Sequence, residues 1–192
     1  MTSSTCNLDG SAASTAAALI EAENFAHRCG LGQKMLLHLR LLAEELLGMA
    51  GSVVDVKHGV FWIEREGMAY RFCLNAFVQT GKNAKKQLLD ASSPGENTYY
   101  QGVTGKIRQA VDWLSQGEMN RISTPRGVVG GLLTSVQEIE WSLTRYRESI
   151  QQEEKAEAWD ELEKSVLTKL ADDILVGVRS DQISITILKV LC

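Results

Sequence analysis

QKMLLHLRLLAEELLGMA, residues 33–50, and VFWIEREGMAYRFCLNAF, residues 60–77, have different hydrophobic periods. In the first segment, leucines at 36, 37, 39, 41, 42, 46 and 47 cover well over half of a helical circumference. An exposed amphipathic helix needs only a stripe, so this helix is expected to be central, with Gly51 ending it. Val53-Val54-Asp55-Val56 then alternates, and Gly59 separates it from the second segment. There, residues 60–65 and 68–77 carry β-branched and aromatic side chains on either side of a Glu66-Gly67 turn. These are strand–turn–strand signatures, read as antiparallel neighbours.

Working outward, residues 11–28 are rich in alanine and other helix formers. Ala18, Ile20, Ala22 and Phe25 supply an apolar face, and the CGLG at 29–32 stops the helix. Residues 1–10 are polar and are expected to be frayed. Beyond Phe77 the pattern is helical again, with helices expected over 82–91, 98–116, 128–152 and 155–171. Pro94 and Pro125 fall in the breaks between them. Two strands close the chain, 174–178 and 183–188, joined by Arg179-Ser180-Asp181. The fold class is therefore α+β. The expected architecture is one domain over residues 1–192, a two-layer α/β sandwich with helices on one face of a mostly antiparallel sheet. Residues 78–154 enter it as a helical insertion.

Composition narrows the function classes. The chain has 192 residues, 44% hydrophobic and 23% charged, which is enough to close a core. Two prolines against sixteen glycines argue against a proline-rich linker. A net charge of −4 argues against a nucleic-acid binder, whose phosphate contacts want a basic face. Cys6, Cys29, Cys73 and Cys192 form no CxxC pair, and are read as reduced, mostly buried thiols. His27, His38 and His58 show no HExxH or HxxxH spacing, so no metal site is expected. The first ten residues lack the basic and apolar regions of a signal peptide. No apolar run reaches membrane-spanning length. The expectation is a cytoplasmic protein with no membrane contact.

The segment 18–50 resembles the opening of the GHKL (Bergerat-fold) ATPases, in particular the anti-sigma-factor serine kinases and the histidine-kinase ATP-binding domains. In that family an amphipathic helix and a short Gly-Leu linker precede a helix reading roughly L-R-L-A-x-E-E-x-x-x-N-A. Here Leu39-Arg40-Leu41-Leu42-Ala43-Glu44-Glu45-Leu46-Leu47-Gly48-Met49-Ala50 follows that pattern until its last functional step. Residues 167–189 look like the family's final helix and terminal hairpin. The resemblance covers about residues 12–77 and 155–191, and makes 78–154 the replacement of a nucleotide lid.

What the resemblance implies about nucleotide chemistry then fails part by part. Glu45 stands where the family has its glutamate, the base or orienting group for the attacking atom. Four residues on, where an asparagine would bind magnesium, stands Met49, whose thioether is a poor ligand for a hard cation. Asn75 falls where an aspartate would read adenine, and Ala76-Phe77 cannot make the glycine turn that should follow. The glycine-rich phosphate lid should precede the last helix, but residues 157–163 contain no glycine and are acidic. Gly127, Gly130 and Gly131 form the one glycine cluster that could compensate. It lacks the lysine and Ser/Thr of a P-loop, so helix start and close packing are the plainer reading. Lys82, Lys85 and Lys86 read as a solvated face, and Trp113, Trp141 and Trp159 as core or interface anchors.

The expectation is a degenerate GHKL-fold protein without standard Mg-ATP turnover. It would act through a protein partner, with a homodimer open, and no cofactor or metal is assigned. The side chains of Met49 and Phe77 are expected to fill the old nucleotide pocket. The alternative is an active or nucleotide-sensing ATPase or serine kinase, with Glu45 as base, Asn75 on adenine, Gly127, Gly130 and Gly131 on phosphate, and ATP with magnesium as cofactor. A third reading is an α/β domain with no nucleotide ancestry.

Overall fold

A computed structural model describes residues 1–53, 58–77, 105, 139–152, 165–179 and 182–191. In chain order these form β1 (Cys6–Leu8), α1 (Ala12–Arg28), α2 (Gln33–Val53), β2 (Gly59–Glu66) and β3 (Ala69–Phe77). There follow β4 (Ile139–Ser142), α3 (Leu143–Gln152), α4 (Val166–Leu170), β5 (Asp173–Arg179) and β6 (Gln182–Val190). Among the described residues the strands make one six-stranded sheet in the order β1-β2-β3-β6-β5-β4. Every neighbouring pair is antiparallel, so the fold is α+β.

The register shows how the pleat sorts side chains. Phe61 lies opposite Leu74, which lies opposite Ile185, which lies opposite Val176. All four are fully buried, on the face that receives Leu39, Leu42 and Leu46 of α2 and Ala18, Ala22 and Phe25 of α1. Leu143 and Ile150 of α3 and Leu167 of α4 join the same core. The helices thus cover one face of the sheet. Residues one step along each strand point the other way, as a period of two requires. That outer row includes Val60, Trp62, Asn75 and Thr186.

Local signals explain the helix ends. Ser11 Oγ accepts the Ser14 N–H at 3.1 Å, satisfying one of the four orphan donors of α1. At the other end Gly30 takes φ +70°, its N–H donating to the His27 carbonyl and the Leu31 N–H to that of Ala26. This paired closure needs a left-handed residue, which glycine supplies without a Cβ clash. The CGLG stop at 29–32 is that motif. Gly67, at φ +60°, likewise permits the β2–β3 turn.

Four expectations are corrected. Residues 1–10 are not frayed: β1 pairs with β2, and Thr2 bridges Glu64. Ser3 N–H donates to the Ile63 carbonyl, and Ile63 N–H donates to Ser3 Oγ, both at 2.8 Å. The open edge of β2 offers backbone groups that a polar segment can satisfy, and Leu8 buries its side chain there. Helix α2 runs through Gly51 to Val53, because a glycine permits a helix end without imposing one. Val53 is therefore helical, and the rest of the alternating 53–56 segment lies outside the described residues. Of the helix expected over 128–152, residues 128–138 lie outside the described residues, and the rest is a strand, Ile139–Ser142, followed by α3. Trp141 pairs with Val176, and Ser142 Oγ and Asp173 Oδ1 accept the Arg145 and Thr144 N–H groups at 3.1 and 3.0 Å, capping the new helix. The fourth correction concerns Phe77. The helix expected over 82–91, that over 98–116 apart from residue 105, and most of 155–171 fall outside the described residues.

Candidate functional site

Helix α2 carries the residues on which the nucleotide reading turns. Its apolar positions 39, 42, 46 and 49 recur at spacings of three and four, so they form a single stripe. Leu39, Leu42 and Leu46 are fully buried and Met49 is 4% exposed, all within the core. The helix packs against α1 and α4 and against strands β3 and β6. Glu45 sits at the margin of this stripe, half-buried, and Glu44 is exposed. Neither carboxylate makes an ion pair among the described residues. Arg40, on the exposed face, pairs with Glu23 of α1 and ties the two helices together.

Strand β3 places Asn75 away from that helix. Leu74 and Ala76 point into the core, and Asn75 between them is exposed on the outer face, opposite Val60 and Ser184. Glu45 and Met49 therefore lie on one side of the sheet and the Asn75 side chain on the other. Phe77 shares the parity of Asn75 and is 47% exposed, so it does not plug a cavity beneath α2. That corrects the expectation for Phe77, while Met49 does lie in the core. The strand's period explains both, since a one-residue difference in position reverses the face. Gly127, Gly130 and Gly131 lie outside the described residues.

The residues at the helix and strand positions do not fit a magnesium–nucleotide complex. The position expected to ligate the cation holds a thioether buried within the hydrophobic cluster, and the cation prefers oxygen. The position expected to read the base faces away from the helix. Among the described residues no group of three or more His, Cys, Asp or Glu side chains could hold a metal ion. No helix among them is long and apolar enough to cross a membrane.

A second cluster lies where the β2–β3 turn meets the end of α1. The Tyr70 side chain occupies an inward position of β3, 1% exposed, packed edge-on against Phe25 at 6.5 Å. Among the described residues its hydroxyl has no hydrogen-bond partner of ordinary geometry, the Cys29 thiol being the polar group near it. Burial, and then the nearby Cys29 thiol, push its pKa above the ordinary tyrosine value, while Arg65 works the other way. The Arg65 guanidinium stands 5.5 Å from the Tyr70 ring centre and donates to the carbonyls of Cys29 at 3.2 Å and Gly67 at 3.0 Å. The expectation of mostly buried thiols changes too: Cys29 and Cys6 are half-buried, and Cys73 alone of the described cysteines is buried. The signal for Tyr70 was present in the alternation of 69–77, which sends a phenol into an apolar layer. Its nearness to Cys29 was not, because the two residues are joined only by tertiary packing.

The fold and this geometry define an antiparallel α+β protein with helices on one face of its sheet. Comparisons of the chain with protein-family models, with curated proteins and with solved structures find no match.

Proposed function

We propose that the chain is a degenerate GHKL-type domain that has kept a sandwich and acts as a regulatory protein-binding module without Mg-ATP turnover. One observation carries the loss of chemistry: Met49 is packed in the core while Asn75 faces the opposite side of the sheet. A nucleotide site needs its cation ligand and base reader to converge on one ligand, and these two positions diverge. The order of elements, two helices, a hairpin and a terminal hairpin, supports the kinship, as does the Leu39–Ala50 sequence pattern. The partner class rests on the resemblance, since anti-sigma and histidine-kinase relatives use this fold to engage other proteins. A second copy of the chain is one such partner.

Isothermal titration of the full chain with ATP and magnesium tests this reading. The expected result is no saturable binding in the micromolar range and no hydrolysis. Micromolar binding abolished by Glu45→Ala, or transfer of phosphate to a partner serine, would overturn it in favour of the kinase.

A further inference from the structure

We propose that Cys29 is an oxidation site, a thiol that takes one oxygen atom from a hydroperoxide and holds the product through the Tyr70 hydroxyl. The observation that points to an added atom is the buried Tyr70 hydroxyl, which among the described residues has no hydrogen-bond partner of ordinary geometry and only the Cys29 thiol nearby. A buried donor without an acceptor costs about 1–3 kcal/mol, and native proteins seldom leave one so. The group beside it is a sulfur, a weak acceptor. Oxidised to a sulfenate, that sulfur bears a charged oxygen, the acceptor the phenol lacks. The Arg65 guanidinium, anchored on the Cys29 carbonyl and lying over the Tyr70 ring, supplies positive charge at the same place.

Access and thiol chemistry select Cys29 among the described cysteines. Cys73 is buried, and burial together with the Glu64 charge pushes its thiol up to about 11. Burial and then the charge of Glu21 raise the pKa of Cys6 as well. Both shifts lower the thiolate fraction, and with it the rate of attack, because the thiolate is the nucleophile. Cys29 is half-buried and has a cationic neighbour.

The step balances as follows. The Cys29 thiolate attacks one peroxide oxygen, an S–O bond forms and the O–O bond breaks. The second oxygen leaves as hydroxide or alkoxide and takes up a proton. Sulfur loses two electrons, which the peroxide gains. A low-molecular-weight thiol reverses the step: it attacks the sulfur of the protonated sulfenate to give a mixed disulfide and water, and a second such thiol releases Cys29.

The test treats the full chain with hydrogen peroxide and traps sulfenic acid with dimedone, with the labelled residue located by peptide mass spectrometry. Dimedone does not label thioethers, so oxidation of Met1, whose sulfur lies 3.9 Å from that of Cys29, does not confuse the reading. Label is expected at Cys29 in several-fold excess over Cys6 and Cys73, and is lost in Cys29→Ser. Tyr70→Phe removes only that hydroxyl, so the fold is kept, and the trapped sulfenate should fall about tenfold, as for one hydrogen bond to a charged group. An unlabelled Cys29, Cys6 or Cys73 labelled as fast, or an undiminished yield in Tyr70→Phe overturns the proposal. The comparison among cysteines in the unmodified chain stands without any variant.

Discussion

Replacing Met49 by asparagine restores the residue type that a magnesium–nucleotide site would use at that place on α2, and the two readings of the chain predict opposite results. If Met49 is a core residue, the change removes a side chain that is 4% exposed. Burying a methionine contributes about 1.5–3 kcal/mol, and an amide placed there without full hydrogen bonding costs about 1–3 kcal/mol more. A net loss of about 3 kcal/mol is expected once local relaxation is allowed. In a chain of this length each kcal/mol corresponds to ~3 °C, so the melting midpoint should fall by about 9 °C. Met49→Leu nearly conserves volume and should cost less than about 1.5 kcal/mol. Urea unfolding followed by circular dichroism measures both, and titration with Mg-ATP is run on the same samples. An asparagine variant as stable as the parent, and newly able to bind Mg-ATP saturably, would refute the reasoning, since it requires an open pocket beside Glu45.

Four further changes probe the frame around that helix. Gly48→Ala should stabilise the chain by up to about 1 kcal/mol in the same urea assay, because a Cβ at Gly48 meets nothing within 4 Å among the described residues and alanine is the better helix former. Ser11→Ala should cost about 1 kcal/mol by removing the cap of α1. Phe25→Ala, which empties a fully buried site against Tyr70, should cost about 3–5 kcal/mol in equilibrium unfolding. The fourth concerns pH. Burial pushes the Glu21 carboxyl up, but Arg28 at 2.7 Å and the Ser4 N–H at 2.9 Å outweigh it and hold the group below its ordinary range. A lowered folded pKa contributes stability above the unfolded value of about 4.3, and that stability is lost as pH falls through the folded value. Glu21→Gln should therefore be less stable than the parent at pH 7 and should lose less stability on acidification, measured as melting midpoint against pH. Parallel curves would show that Glu21 does not titrate differently on folding.

Local physics wrote the fold class into the sequence. The leucine-rich segment 33–50, the switch to a period of two at residue 60 and the glycines at 30 and 67 each act over a few residues. All three appear in the structure where the pattern puts them. The final hairpin was legible for the same reason, its isoleucines 183, 185 and 187 alternating into the core. Pairing between distant segments was not legible. Residues 1–8 look like a polar tail until the free edge of β2 gives their backbone groups partners, and residues 139–142 look helical until Trp141 meets Val176. The same limit holds at the candidate site. Helical spacing puts Glu45 and Met49 near one another, but only the sheet register shows that Asn75 and Phe77 face away from them. Sequence alone therefore determined the first two helices, the β2–β3 hairpin and the final hairpin with their apolar stripes, because those arise from neighbours three, four or two residues apart. The tertiary structure alone decided which side chains meet, among them Tyr70 and Cys29, because a strand's face depends on which strand it pairs with and in what register.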